Sequence, residues 1–167
     1  MISAPASAKS FIKMPRNTEA VKRGSDHSPV YAKFTIGNNT EMKMRIASYN
    51  IYGAGHTNGG DAARSKKQTD LIKEMELDVV GFQEMTPEQF GHYKNNLDSF
   101  DFHPSEFVGP PNFTSPDAIG WNKSKYTVVE KGTDPHKYFD GKNRKHPWVL
   151  LQDNATKQKF YVMNTHD

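Results

Sequence analysis

The stretch from Arg45 to Glu84 constrains this chain more tightly than any other, because its hydrophobic pattern changes period twice. Arg45 to Tyr49 is a short β-prone run, and Gly53 to Gly60 is a glycine-rich loop. Asp61 has the chemistry of an N-cap, and Leu71, Ile72 and Met75 recur behind it at helical spacing, so a helix is predicted to about Glu76. Leu77 to Phe82 is a compact apolar run, too short for a helix and most simply a strand covered on both faces. Strand, helix and strand in that order form a βαβ unit with parallel strands and a right-handed crossover, the mark of an α/β protein. In such sheets ligands bind beyond the carboxyl ends of the parallel strands.

Ahead of that unit, Val30 to Ile36 alternates apolar and polar residues, and Gly37-Asn38-Asn39 supplies turn chemistry before Arg45. An antiparallel hairpin is predicted, whose first strand begins at the edge where its second ends. His27 and Asn50 flank it in sequence and therefore meet at that edge. Met1 to Arg23 is small and polar around Phe11, Ile12 and Met14, and reads as a loop with one short strand.

Beyond Glu84, Thr86-Pro87-Glu88-Gln89 reads as an N-cap, a first-position proline and a capping-box partner. Phe90, Tyr93 and Leu97 fall on one face of the helix it starts, which ends near Asn96. Ser99 to Pro116 reads as an irregular surface loop and Lys131 to Lys145 as an exposed, charged one. Between them, Ala118 to Trp121 and Tyr126 to Glu130 are predicted strands. Trp148 to Gln152 and Lys159 to Asn164 flank the turn Asp153-Asn154-Ala155-Thr156, a second hairpin that delivers His166 at its far end.

At 167 residues one domain with a real core is expected, although only 35% of the residues are hydrophobic. The 22 Lys and Arg against 19 acidic residues give a net charge of +3, which suits a polyanionic substrate but falls short of a dedicated nucleic-acid stripe. There is no cysteine, so any metal must be held by oxygen or imidazole. No run approaches the roughly 20 apolar residues of a membrane span, and no signal-peptide core follows the first charges. A soluble, cytoplasmic protein is expected, with an extracellular location left open.

Four polar residues fall just off strand ends: His27, Asn50, Glu84 and His166. A carboxylate beside an amide oxygen is a hard-cation site of the magnesium type, and two imidazoles supply a general base and a cation for phosphate. That set suits phosphodiester hydrolysis. Each residue also has an ordinary reading: Glu84 as a solvated loop carboxylate, Asn50 as a cap, His27 as a turn histidine satisfied by Asp26, and His166 as part of a fraying terminus. Arg144 is a candidate phosphate contact or a solvated loop arginine. His56, His92, His103, His136 and His146 read as surface or loop histidines.

At these residues the sequence resembles the endonuclease/exonuclease/phosphatase superfamily of metal-dependent hydrolases. Arg45-Ile-Ala-Ser-Tyr-Asn-Ile51 is similar to its first strand with the metal-site asparagine, and Asp78-Val-Val-Gly-Phe-Gln-Glu-Met85 to the motif whose glutamate binds Mg²⁺. Ala118-Ile-Gly-Trp-Asn122 and Trp148 to Asp167 resemble the strands that follow, with Asn164-Thr-His-Asp167 matching the histidine motif. Gly24-Ser-Asp-His-Ser-Pro-Val30 is similar to the motif that closes the family's domain, where the histidine activates water. The resemblance implies a two-sheet α/β sandwich of the DNase I-like type. It implies Mg²⁺, with Mn²⁺ as a substitute, at Glu84 and Asn50, and a catalytic set of His27, Asp26 and His166. The implied substrate is a phosphodiester, with DNA ahead of RNA, phospholipid and inositol phosphates.

Two departures from the family pattern stand out. The closing motif precedes the opening one, so residues 1–36 read as a C-terminal-like segment, 37–43 as a linker turn and 44–167 as the N-terminal-like two thirds of a circularly permuted domain. The family's Gly-Asp-x-Asn motif occurs nowhere in the sequence, and neither does the aspartate expected just upstream of Ile2 to orient the catalytic histidine. A second class of function therefore stands beside the nuclease: a non-catalytic or incomplete phosphate-binding fragment, completed by a partner segment or by self-association.

Overall fold

Strand β1 (Ser7–Lys13) pairs antiparallel with β2 (Val30–Ile36), and β2 pairs antiparallel with β3 (Met42–Asn50). These strands belong to a computed structural model that describes residues 7–13, 30–36, 42–53, 62–106, 117–137, 141 and 143–166. The expected hairpin is present: Val30 lies opposite Ser48 and Ile36 opposite Met42. Helix α1 (Ala62–Glu74) then leads to β4 (Val79–Gln83), which runs parallel to β3 with Ile46 opposite Val79 and Asn50 opposite Gln83. Both parallel strands thus finish at one edge. Helix α2 (Pro87–Asn96), β5 (Phe100–His103) and β6 (Ala118–Asn122) complete a six-stranded sheet of order β1-β2-β3-β4-β6-β5. Strands β7 (Tyr126–Lys137), β8 (Asn143–Asp153) and β9 (Lys159–Met163) form a second, three-stranded antiparallel sheet.

Alternation along β4 explains the layering. All five of its residues are buried, as its continuous apolar run requires. Val80 and Phe82 join Tyr49, Ile51, Ile72, Phe90 and Tyr93 in one core, whereas Val79 joins Met44, Ile119, Trp121, Tyr126, Val149 and Leu151 in another. The first core lies toward the helices and the second between the sheets, which makes the fold a two-sheet α/β sandwich. Burying a side chain such as Phe82 contributes about 1.5–3 kcal/mol.

Helix α1 departs from its predicted stripe. Leu71 and Met75 are only partly buried, and the inward face is Ser65, Gln68, Thr69 and Ile72. Asp61, its expected cap, lies outside the described residues. Helix α2 starts as expected: the Thr86 hydroxyl accepts from Gln89 N–H while the Gln89 side chain accepts from Thr86 N–H. Thr86→Ala should lower stability by about 1 kcal/mol, read as an earlier urea midpoint at unchanged slope.

Two predicted loops are strands. Within Ser99 to Pro116, Phe100 and Phe102 are buried on alternate positions and the segment pairs with β6. Its brevity hid the period. Lys131 to Lys145 is largely a ladder, from Lys131 opposite Val149 to Lys137 opposite Asn143. Its described side chains are mostly exposed, so a solvated β-ribbon carries the composition of a loop. No helix among the described residues is long and apolar enough to cross a membrane.

Candidate active site

The parallel register of β3 and β4 sets Asn50 beside Gln83, and the next residue, Glu84, leaves the strand with φ +63°. Asn50 Nδ2 donates to Glu84 Oε1 at 2.8 Å. The backbone after β3 turns back on this pair: Tyr52 N–H donates to Asn50 Oδ1 at 2.9 Å and Gly53 N–H to Glu84 Oε2 at 3.2 Å. A donor at Oδ1 fixes which way the amide faces. Tyr52 is also left-handed, at φ +56°. Non-glycine residues in that region cost of the order of 1–3 kcal/mol and gather at functional sites. Gly53 is required for a different reason, since a Cβ there would lie 2.6 Å from the Glu84 carbonyl oxygen.

His166 arrives from the other sheet, and Asn164 is what brings it. The buried Asn164 amide donates to the Phe82 carbonyl at 2.7 Å and the Ala118 carbonyl at 3.0 Å, and accepts from Gln83 Nε2 at 2.7 Å. Its backbone N–H donates to the Pro147 carbonyl at 3.1 Å. One side chain thereby ties the end of β9 to β4 and β6. Gly81 makes room for it, because a Cβ there would meet Asn164 Oδ1 at 2.6 Å. Two residues on, His166 Nε2 lies 3.4 Å from Asn50 Nδ2 and 3.8 Å from Glu84 Oε1. Accepting from Asn50 requires an unprotonated Nε2, and pairing with the carboxylate requires Nε2–H.

Asn50, Glu84 and His166 are thus brought together. His27 and Asp26 lie outside the described residues, although Val30 opposite Ser48 means that β2 begins at the edge where β3 ends. Arg144 sits on β8 opposite His136, and its side chain is outside the described part. Two histidines read as surface or loop residues are placed otherwise. His146 is buried, with Nδ1 3.3 Å from Asp117 Oδ2. His103 ends β5 and donates from Nε2 to the Gly132 carbonyl at 2.8 Å, linking the two sheets. The sequence reading also passed over Gln83 and Asn164 as anchors. The available signal was a pair of amide residues at the ends of largely apolar strands, Gln83 closing β4 and Asn164 following β9.

Burial lowers the His103 pKa from its ordinary value, and Lys131 adds to the effect against the Gly132 hydrogen bond. A histidine depressed by folding binds more protons unfolded than folded. Its contribution to stability is present above the unfolded pKa, near 6.5, and is lost as pH falls through that value toward the folded one. Unfolding free energy measured from pH 7.5 to 5 should fall more steeply in the wild type than in His103→Gln.

A hard divalent ion takes oxygen donors, and the carboxylate of Glu84 is the charged one here. Among the described residues no group of three or more His, Cys, Asp or Glu is arranged around a metal position. Glu84 is accessible, its side chain 18% exposed. Mg²⁺ keeps several waters and is commonly bound through one or two carboxylates; Glu84 supplies one, and Asn50 meets that carboxylate through Nδ2 while its Oδ1 accepts from Tyr52 N–H.

Six strands packed on three, with polar residues at the carboxyl ends of the parallel pair, define a DNase I-like α/β sandwich. That is the fold of the endonuclease/exonuclease/phosphatase superfamily. An endonuclease/exonuclease/phosphatase from Bacteroides vulgatus is similar over 74% of this chain and 52% of its own, at 26% identity and a TM-score of 0.59. The Bacteroides thetaiotaomicron mannosyl-6-phosphatase is similar over 72% and 50%, at 23% identity and a TM-score of 0.55. D. rerio TDP2, in a complex with a single-strand DNA product, is similar over 74% and 47%, at 21% identity and a TM-score of 0.54. This chain therefore spans about half the length of these structures. Neither a family sequence model nor a curated protein sequence matches it.

Proposed function

We propose that the chain is a divalent-ion-dependent phosphoester hydrolase, acting on phosphodiesters and on DNA in particular. The convergence of Asn50, Glu84 and His166 at the ends of β3, β4 and β9 carries this reading. Glu84 would hold Mg²⁺ or Mn²⁺ with Asn50 beside it, and a bound ion would supply Lewis-acid polarisation of a phosphoryl oxygen. His166, protonated at Nε2, donates a hydrogen bond to a phosphate oxygen and stabilises the charge that develops there. His27, with Asp26 beside it, takes a proton from the attacking water as general base. Arg144 steadies the substrate phosphate. That two solved neighbours are described as a phosphatase and as a DNA-product complex supports this class of substrate.

The position of His27 follows if residues 1–36 act as the permuted closing segment, joined by 37–43 to the unit from residue 44. Hydrolysis of DNA and of a generic phosphodiester should need Mg²⁺ and stop with EDTA, and His27→Ala should lose about 10²-fold or more in rate. Full activity in His27→Ala would remove its role as base. A second reading is favoured by the lack of Gly-Asp-x-Asn in this sequence. In it, turnover needs a partner polypeptide or a second copy to supply the group that positions the nucleophile. Little hydrolysis by the purified chain, restored by a polypeptide carrying that motif, is the result that selects it.

A further inference from the structure

The inward face of α1 is mostly polar, which a core-facing helix tolerates only where its buried groups are hydrogen-bonded to something specific. Gln68 is fully buried; its Nε2 donates to the Ile51 carbonyl at 2.8 Å, and its Oε1 accepts from Tyr93 O–H at 2.8 Å. Arg64, one turn earlier, donates from Nη1 to the same Ile51 carbonyl at 2.8 Å and to the Tyr52 carbonyl at 2.5 Å. Its guanidinium lies 6.0 Å from the Tyr52 ring. Tyr93 is held in turn by its edge-to-face contact with Phe82, ring centres 5.3 Å apart.

A peptide unit is planar, so fixing its carbonyl aims its N–H. The plane whose carbonyl is Ile51 O carries Tyr52 N–H, which donates to Asn50 Oδ1. The plane whose carbonyl is Tyr52 O carries Gly53 N–H, which donates to Glu84 Oε2. Arg64 and Gln68 therefore grip the far ends of two successive planes, while the near ends orient the two residues of the site. We infer that Arg64 and Gln68, with Tyr93 fixing the Gln68 amide, are positioning residues for the Asn50–Glu84 pair, acting through the Ile51 and Tyr52 carbonyls. This rests on the proposed ion site where it concerns ion affinity, and on the hydrogen bonds alone where it concerns geometry.

Hydroxyl-only removal in Tyr93→Phe tests it gently, and Gln68→Met tests it fully. Two quantities are read on the whole chain: amide hydrogen exchange at Tyr52 and Gly53 without any ion, and Mn²⁺ affinity by calorimetry. Exchange at those two amides should accelerate about tenfold or more relative to Val149 in β8, and Mn²⁺ should bind about 10-fold or more weakly, the scale seen when outer partners of metal ligands are removed. A structural role alone would move Tyr52, Gly53 and Val149 together. That outcome overturns the inference, as does selective acceleration with unchanged Mn²⁺ affinity in a protein whose wild type binds Mn²⁺ through Glu84. Equal Mn²⁺ binding by wild type and Glu84→Gln would instead count against the ion site, and exchange would then decide the positioning role by itself. If Gln68→Met fails to fold, Tyr93→Phe carries both readouts.

Discussion

Asn164→Leu is expected to destabilise the fold by about 3–5 kcal/mol and to release His166 from the site. Leucine conserves volume, so the loss comes from polar groups. The Phe82 and Ala118 carbonyls lose the Asn164 amide donor, and Gln83 Nε2 loses its 2.7 Å acceptor. Each buried polar group deprived of a partner costs about 1–3 kcal/mol. Gln83 keeps a 3.1 Å bond to Ser48 Oγ, which limits its share. Urea unfolding should show an earlier midpoint with unchanged slope. The His166 ring resonances should lose their response to Glu84→Gln, because the imidazole no longer reaches the carboxylate. A midpoint within about 0.5 kcal/mol of wild type, the scatter of ordinary surface substitutions, would mean that Asn164 does not join the sheets.

Glu84→Gln is expected to abolish divalent-ion-dependent hydrolysis, by roughly 10²-fold or more, while leaving the fold in place. The carboxylate meets Asn50 Nδ2 and Gly53 N–H through different oxygens, so the substituted amide, with one oxygen, keeps an acceptor for one of the two and costs the other a single hydrogen bond. The larger loss is the negative charge. Removing an outer partner of a metal ligand already costs about 10–100-fold, and loss of the carboxylate ligand itself exceeds that. Circular dichroism should match wild type, and excess Mg²⁺ should restore little of the rate. Retention of full Mg²⁺-dependent activity would assign the ion to other residues.

The β3–α1–β4 unit was legible because its period signals were strong and local. Val79 to Gln83 is buried at every position, which leaves the apolar run no alternative to a strand. The Thr86 capping box was legible for a similar reason, since its residue types have one arrangement that satisfies the helix N–H groups. Phe100 to His103 was missed because four residues give too few alternations to count. Lys131 to Lys137 was missed because a ribbon exposed to solvent has no apolar face to show. At the site, Asn50, Glu84 and His166 were visible as polar residues just past strand ends. Gln83, Asn164, Arg64 and Gln68 were not, because their roles depend on hydrogen bonds across elements, to backbone carbonyls or, for Gln83, to the Ser48 and Asn164 side chains, and such bonds leave no spacing in the sequence.

The sharpest test is to follow Mn²⁺ into the folded chain by NMR and see which signals its unpaired electrons erase. Broadening at sub-stoichiometric Mn²⁺ should begin at the Asn50 side-chain amide, the Gly53 N–H and the His166 ring, spare Val149 and Leu151 in the inter-sheet core, and vanish in Glu84→Gln. Broadening centred elsewhere, or unchanged by Glu84→Gln, would contradict a divalent-ion site at the ends of β3 and β4.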